Sequence, residues 1–173
     1  MRIRPALKPD LGAITTIYSH YVRNSTSTFE IEAPGIAEMA RRWSEIATQG
    51  LPYLVADVAG VVAGYAYAGP YRPRPAYRFT VEDSVYVHPE YVGRGIGGTL
   101  LAAVIDGCRV SGCQQMIAII GDTGNIASVR LHVSHDFRTV GTLERVGLKF
   151  GRWVDTVIMQ RSLQPDPVAA PSH

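Results

Sequence analysis

The sequence has few of the features that mark membrane, secreted or nucleic-acid-binding proteins. It has only two cysteines among 173 residues, and its 17 lysines and arginines nearly balance its 15 aspartates and glutamates. No apolar run is long enough to cross a bilayer, the N-terminus has no apolar signal segment, and the positive residues are scattered. Two such cysteines, Cys108 and Cys113, are typical of reduced thiols. We therefore expect a cytoplasmic protein without a membrane or nucleic-acid partner.

The composition and the hydrophobic patterning indicate a globular α/β protein. The apolar fraction is 46%, and the length suits one domain, which we expect to span residues 1–163. The Pro- and Ala-rich segment 164–173 is predicted to be a disordered tail. Periodicity predicts the order strand, two helices, three strands, helix, strand, helix and two strands, which is a mixed sheet covered by helices.

Four predicted elements matter for the sections below. Asp10 is predicted to cap the first helix, because a carboxylate there can accept the free N–H groups of the first turn. A long central strand is predicted over residues 77–87 and a short helix over residues 125–135. Between them, residues 97–111 form an amphipathic helix that Gly112 ends.

A glycine-rich loop precedes this amphipathic helix and is the clearest functional signal. Residues 92–98 read Val-Gly-Arg-Gly-Ile-Gly-Gly. Backbone N–H groups of such a loop, backed by a helix N-terminus, form a cradle for phosphate oxygens. The loop lacks the Gly-Lys-Ser/Thr ending of nucleoside-triphosphate loops. It has the letters of a dinucleotide motif, but residues 88–92 separate it from the strand, which disfavours that interpretation.

The loop resembles the pyrophosphate loop of the Gcn5-related N-acetyltransferases, whose pattern is Gln/Arg-x-x-Gly-x-Gly/Ala, except that Val92 stands at the first position. Further segments resemble one branch of that superfamily, the phosphinothricin and methionine sulfoximine N-acetyltransferases: residues 20–29, 66–71, 77–89, 125–132 and 146–155. The resemblance covers residues 3–163. It implies an α+β acetyltransferase fold, with a mostly antiparallel sheet that splays at the central strand, a homodimer, and acetyl-CoA as the cosubstrate. Because neither cysteine lies near the predicted site, we expect the acetyl group to pass directly to the acceptor.

The resemblance also implies the residues that carry the chemistry. Glu82 would be the general base, acting through a water, and His132 the general acid for the leaving thiolate. The strand pattern alone does not choose between Glu82 and Asp83, which points to the other face. Two alternatives stay open: Glu82 as the partner of an arginine, and His132 as a structural hydrogen-bonding group.

The implied coenzyme contacts come from the central strand, the glycine loop and the last helix. They are Val85, Tyr86, Val87, Gly93, Arg94, Gly95, Ile96, Gly97, Gly98, Asn125 and Ser134. The backbone of the splayed strand would pair with the pantetheine arm as an additional strand would, and an N–H near Val85 would meet the oxyanion. Asn125 has an alternative role as the cap of its helix.

The acceptor site is expected to bind an amino-acid-like molecule. Arg72 and Arg78 lie in a proline-stiffened loop, and guanidinium groups suit a carboxylate or phosphinate. Phe29 would form a wall, and Lys149 lies in a region that reaches the partner subunit's site in this branch. The rival acceptors are a protein N-terminus and a polyamine, and the rival class is a non-catalytic coenzyme-A sensor.

No metal site is predicted. His132, His135 and Asp136 lie close together, but three ligands on one short helix seldom converge on an ion without a distant fourth ligand. Asp136 stands where the family has glycine, and aspartate can adopt the left-handed conformation of that position at some cost.

Overall fold

A computed structural model describes residues 1–164 of the chain. In this part, seven strands form one sheet in the order β1-β2-β3-β4-β5-β7-β6. The strands are β1 (Arg2–Pro5), β2 (Tyr53–Val58), β3 (Val61–Pro70), β4 (Thr80–Val87), β5 (Gln115–Gly121), β6 (Arg138–Lys149) and β7 (Arg152–Ser162). The α-helices are α1 (Leu11–Asn24), α2 (Ile36–Thr48), α3 (Ile96–Val110) and α4 (Ile126–Val133). The predicted order of elements and the mixed fold are confirmed.

Each face of the sheet has its own apolar core. On one face, α1 and α2 pack against a tyrosine-rich surface that includes the fully buried Tyr65. On the other face, α3 buries Leu100, Leu101 and Val104 against the sheet. Gly64 on β3 permits this close approach, because a Cβ there would lie 2.9 Å from the carbonyl of Tyr86 and 3.2 Å from Leu100. The two cores therefore hold β3 and β4 rigidly from both sides.

The sheet opens in its middle. β4 and β5, its single parallel pair among the described residues, are in register only from Thr80 opposite Gln115 to Glu82 opposite Ile117. β4 continues to pair with β3 as far as Val87. Beyond Glu82, therefore, one edge of β4 has no β5 partner. The predicted splay at the central strand is confirmed.

Two local predictions are wrong. The central strand begins at Thr80 and not at Tyr77, because residues 75–77 form a 3₁₀ turn in which the Tyr77 N–H donates to the Arg74 carbonyl. Asp10 precedes α1, but its carboxylate makes no capping hydrogen bond. It accepts instead from the backbone N–H of Leu7 at 2.7 Å and from a side-chain guanidinium.

The C-terminal segment leaves the sheet after β7. Gln164 is the last described residue, and its side-chain amide donates to the carbonyls of Arg109 and Cys113. Residues 165–173 of the predicted tail lie outside the described part. Both cysteines are free and buried. Within residues 1–164, no helix is long and apolar enough to cross a membrane.

Candidate active site

A cleft of about 410 Å³ occupies the opening between β4 and β5. The end of β4 and the end of β5 form two walls, α4 forms a third, and the glycine loop before α3 closes one end. Most of the predicted coenzyme contacts line it: Val85, Tyr86, Val87, Gly93, Gly95, Ile96, Gly97, Gly98 and Asn125. The volume lies within the usual range of small-molecule sites. The fold therefore brings strand, loop and helix residues to one concave site.

The glycine loop has the backbone conformation that an anion cradle needs. Gly93 and Gly95 have φ values of +81° and +77°, in the left-handed region, and Gly95 immediately precedes α3. A side chain at either position would strain the backbone. The turns they make direct the loop into the N-terminus of a 15-residue helix. This arrangement fits a pyrophosphate group.

Two predicted coenzyme contacts lie outside the lining of the cleft. The Arg94 guanidinium lies over the ring of Tyr91, 4.9 Å from its centre. The Ser134 hydroxyl donates to the carbonyl of Leu131 at 2.7 Å, at the far end of α4. Both contacts stay predictions, and the structure brings neither side chain into the cleft.

Asn125 has two roles in the structure. Its side-chain oxygen accepts the backbone N–H of Ser128 at 3.2 Å, so it caps α4 as the alternative interpretation expected. It also lines the cleft. The cap fixes the N-terminal turn of α4 against the open edge of β5, and capping and ligand contact are therefore compatible.

Sequence reasoning missed Tyr21 as a cleft residue. Its position in α1 has helical apolar spacing, which predicts a core side chain. In the structure it lines the cleft, and its hydroxyl donates to the carbonyl of Val87 at 2.6 Å. A tyrosine hydroxyl on the inner face of a helix needs a hydrogen-bond partner, and this need was the available signal. Tyr21 thus holds the end of β4 at the mouth of the cleft.

Glu82 lies on the face of β4 opposite to Asp83, as expected. Burial, with a further contribution from the charge of Asp83, raises the pKa of its carboxyl to about 7, against the opposing effect of Arg72. Among the described residues, it forms neither a hydrogen bond nor an ion pair with an arginine that would hold it ionised. A carboxyl group with a pKa near neutrality is suited to accept a proton.

His132 is buried between two acceptors. Its Nδ1 lies 2.7 Å from the Ser128 carbonyl oxygen, and its Nε2 lies 3.0 Å from Oδ2 of Asp83. Burial is the largest single influence and acts to lower the pKa of His132, but the hydrogen bond to Asp83, the charge of Asp83 and the hydrogen bond to Ser128 together raise that pKa. The ring of Phe137 meets the imidazole edge-on at 4.9 Å. Both Asp83 and His132 line the cleft.

Comparison with known proteins agrees with this geometry. Residues 14–137 match the model of the acetyltransferase (GNAT) family. The chain belongs to the GNAT family. It is 49% identical over 169 residues to a phosphinothricin N-acetyltransferase of Alcaligenes faecalis, covering 98% of this chain and 86% of that one. It is 42% identical to an L-methionine sulfoximine/L-methionine sulfone acetyltransferase of Salmonella typhimurium, over 99% of this chain and 98% of the relative.

A solved structure extends the similarity to a ligand-bound relative. The crystal structure of a GNAT phosphinothricin acetyltransferase from Sinorhizobium meliloti, in complex with acetyl-CoA, superposes with a TM-score of 0.94. It is 44% identical, and the match covers 99% of this chain and 92% of that one. The predicted family and fold are confirmed.

In this GNAT protein, none of the residues predicted to bind the acceptor molecule lines the cleft between β4 and β5. Arg72 and Arg78 line a second, open cleft of about 640 Å³ at the start of β4. Of the two, the charge of Arg72 reaches Glu82. Because both side chains lie outside the first cleft, their contact with an acceptor stays a prediction.

Phe29 and Lys149 lie on the side of the GNAT fold where β5, β6 and β7 meet. Phe29 packs over two glycines, and a Cβ on Gly147 would lie only 2.4 Å from its ring. Lys149 is buried, and its Nζ donates to the carbonyl of Thr28 at 2.6 Å. Burial lowers the pKa of this lysine. Lys149 therefore anchors the segment that carries Phe29.

Proposed function

We propose that this protein is an acetyl-CoA-dependent N-acetyltransferase that acts on the α-amine of a small amino-acid analogue. Phosphinothricin, methionine sulfoximine and methionine sulfone are the proposed acceptors, because relatives at 42% and 49% identity carry these activities in their names. The observation that carries the proposal is the cleft between β4 and β5, with the glycine cradle at one end and Glu82 beside the point where the strands part.

The cleft suits the extended shape of acetyl-CoA. Gly93 to Gly98 would hold the pyrophosphate through backbone N–H groups and the N-terminus of α3. The edge of β4 from Val85 to Val87 has no β5 partner among the described residues, so its backbone groups would be available to the pantetheine arm, apart from the Val87 carbonyl, which already accepts from the Tyr21 hydroxyl. The thioester would then lie near the parting point of the strands, beside the Asp83–His132 pair.

The chemistry needs one base and one acid. Glu82, acting through a water, would take a proton from the acceptor's ammonium, and the freed amine would attack the thioester carbonyl. The nitrogen would give up its second proton to water as the tetrahedral intermediate collapses to the amide. A backbone N–H near Val85 would stabilise the developing oxyanion. As the carbon–sulfur bond breaks, the His132 imidazolium would give a proton to the departing thiolate. Transfer is direct, because neither cysteine lines the cleft.

The acceptor's carboxylate or phosphinate needs cationic partners. Arg72 is the better of the two candidates in the structure, because its charge already reaches Glu82, next to which the amine would lie. Arg78 is the second candidate, although its guanidinium lies over the ring of Phe79. Phe29 would form an apolar wall, and Lys149 would act through its hold on the segment at Thr28.

We also infer a cytoplasmic homodimer. The support is an apolar surface on β6 and β7, where Val146, Leu148 and Trp153 are each more than half exposed. Leu148 and Trp153 lie directly opposite each other in the β6–β7 register. Isolated apolar side chains on a surface are common, but contiguous apolar patches mark interaction sites.

The test is thiol release from acetyl-CoA by the purified protein. Methionine sulfoximine, phosphinothricin, methionine sulfone, spermidine and a short peptide would be offered in parallel. We expect turnover with the first three only. Turnover only with spermidine or the peptide would support an N-acetyltransferase but contradict the proposed acceptor. Coenzyme binding without turnover on any acceptor would favour a sensor.

A further inference from the structure

We propose that Asp83 is a positioning residue that holds His132 as a doubly protonated imidazolium at the wall of the cleft. The proposal deepens the function proposed above, because it explains how a buried histidine would serve as the acid for the leaving thiolate. It concerns an acidic residue next to the expected base, on the opposite face of the same strand.

The hydrogen-bond partners of His132 determine where its protons lie. A backbone carbonyl can only accept, so Nδ1, 2.7 Å from the Ser128 carbonyl, carries a proton. An ionised carboxylate can only accept as well, so Nε2, 3.0 Å from Asp83, also carries one. A ring with both nitrogens protonated is the cation. The pair then has no net charge, and this allows both groups to be buried together.

Among the described residues, Asp83 is the one charged group that acts on the pKa of His132. Within α4, the His132 ring contacts the carbonyl of Ser128, and just beyond the helix it packs edge-on against the ring of Phe137. The thiol of Cys108 on α3 lies within electrostatic reach of Asp83, and so does Glu82 behind the strand. Removing the carboxylate therefore removes the counter-charge of the imidazolium.

The second oxygen of Asp83 is a further indication of a functional role. Its Oδ1 is buried and has no hydrogen-bond partner among the described residues. A carboxylate placed only for stability would have both oxygens paired, because an unpaired buried acceptor is costly. Here the residue lines the cleft with one oxygen bound to the histidine. After the imidazolium has given a proton to the thiolate, the negative charge of the Asp83 carboxylate favours reprotonation of the imidazole.

The decisive experiment compares the wild type with Asp83→Asn by titrating His132 in NMR spectra. The amide is isosteric and keeps an acceptor oxygen but has no charge. We expect the pKa of His132 to fall by at least one unit, because only the hydrogen bond to the Ser128 carbonyl then opposes the effect of burial. In the pH–rate profile the alkaline limb should move to lower pH, with kcat reduced tenfold or more at pH 8.5 and the KM for acetyl-CoA unchanged. Asp106→Asn, an exposed acid on α3, is the matched control.

An unchanged His132 titration in Asp83→Asn would overturn the proposal. If that variant does not fold, His132→Gln gives a second test, since the neutral glutamine leaves the Asp83 carboxylate buried without a counter-charge. We expect His132→Gln to be less stable than the wild type at pH 8, and adding Asp83→Asn to restore stability. Additive losses would contradict the pairing. Failure of the proposed function would appear separately, as a wild type that releases no thiol while its His132 titration still depends on Asp83.

Discussion

At the scale of single residues, the environment of Glu82 gives the most direct prediction. Its carboxyl has a pKa of about 7, so the ionised form that accepts a proton accumulates as pH rises through neutrality. In Glu82→Gln we expect kcat to fall by about 10²–10⁴-fold and the acidic limb of the pH–rate profile to disappear. Steady-state rates between pH 5.5 and 9 would measure both effects. Glu45→Gln, on the exposed side of α2, is the matched control.

The same pKa shift predicts the stability of that variant. The folded state holds the Glu82 proton up to about pH 7, whereas the unfolded chain releases it near 4.5, so wild-type stability falls as pH rises between these values. Glutamine does not ionise, so the variant does not lose stability in this way. Glu82→Gln should therefore be at least as stable as the wild type at pH 8 in urea unfolding. A less stable variant with an unchanged pH profile would make Glu82 a structural residue.

Asp136 gives a prediction about stability alone. It has φ +62° just after α4, a left-handed conformation that favours glycine, and its exposed carboxylate lies 3.5 Å from Arg161. Such a surface pair contributes little. We expect Asp136→Gly to raise the free energy of unfolding by about 0.5–1 kcal/mol, because the left-handed strain is relieved. Asp136→Ala should lower it. A destabilised glycine variant would show that the contact with Arg161 outweighs the strain.

Single residues also show where sequence reasoning reaches its limit. Spacing correctly put Glu82 and Asp83 on opposite faces of the strand, because side chains alternate along a strand whatever the tertiary structure. It could not pair Asp83 with His132, which is 49 residues away, because that contact depends on how α4 packs against the open sheet. The hydroxyl contact of Tyr21 with Val87, 66 residues apart, was hidden for the same reason.

At the scale of elements, the glycine loop and α3 form one anion-binding unit. A side chain at Gly95, where φ is +77°, costs about 1–2 kcal/mol of backbone strain. In the free Gly95→Ala protein the loop would relax out of this conformation, and binding would then have to restore it. We therefore expect the Kd for acetyl-CoA to rise by about tenfold, since 1.4 kcal/mol corresponds to a factor of ten. Isothermal titration calorimetry would measure it.

Gly12→Ala provides the control for that variant. Gly12 lies in α1 without left-handed geometry, and a Cβ there meets nothing within 4 Å. Alanine should stabilise the helix by up to about 1 kcal/mol and leave the Kd unchanged. An unchanged Kd in Gly95→Ala as well would mean that the loop does not bind the pyrophosphate.

Element order was predictable because hydrophobic periodicity is local, and the structure reproduces every predicted helix and strand in sequence. The residues at which elements begin and end were less predictable. The central strand was predicted to begin at Tyr77, but the proline at position 75 fixes φ and starts a 3₁₀ turn over residues 75–77, so the strand begins at Thr80. The opening between β4 and β5 has no local pattern at all, since it depends on pairing that stops at Glu82. Only the family resemblance predicted it.

At the scale of the whole molecule, the sheet is covered unevenly. Both faces of its central strands are buried by helices, whereas β6 is exposed along nearly all of its length. Exposed edge strands commonly pair or pack with another chain. Lys149 at the end of β6 also holds the segment that carries Phe29, the proposed wall of the acceptor site, through its hydrogen bond to the carbonyl of Thr28. Association through this surface would therefore affect the position of Phe29 and, with it, binding of the acceptor.

Leu148→Lys tests that association. The side chain is 57% exposed and lies beside Trp153, so a charge there should prevent a second copy from packing on the surface. We expect the wild type to sediment as a dimer and Leu148→Lys as a monomer with a raised acceptor KM. Val110→Lys, at a 90% exposed valine on the last turn of α3, should remain dimeric. A monomeric wild type at micromolar concentration would overturn the dimer, and a dimeric Leu148→Lys would place its interface elsewhere on the molecule.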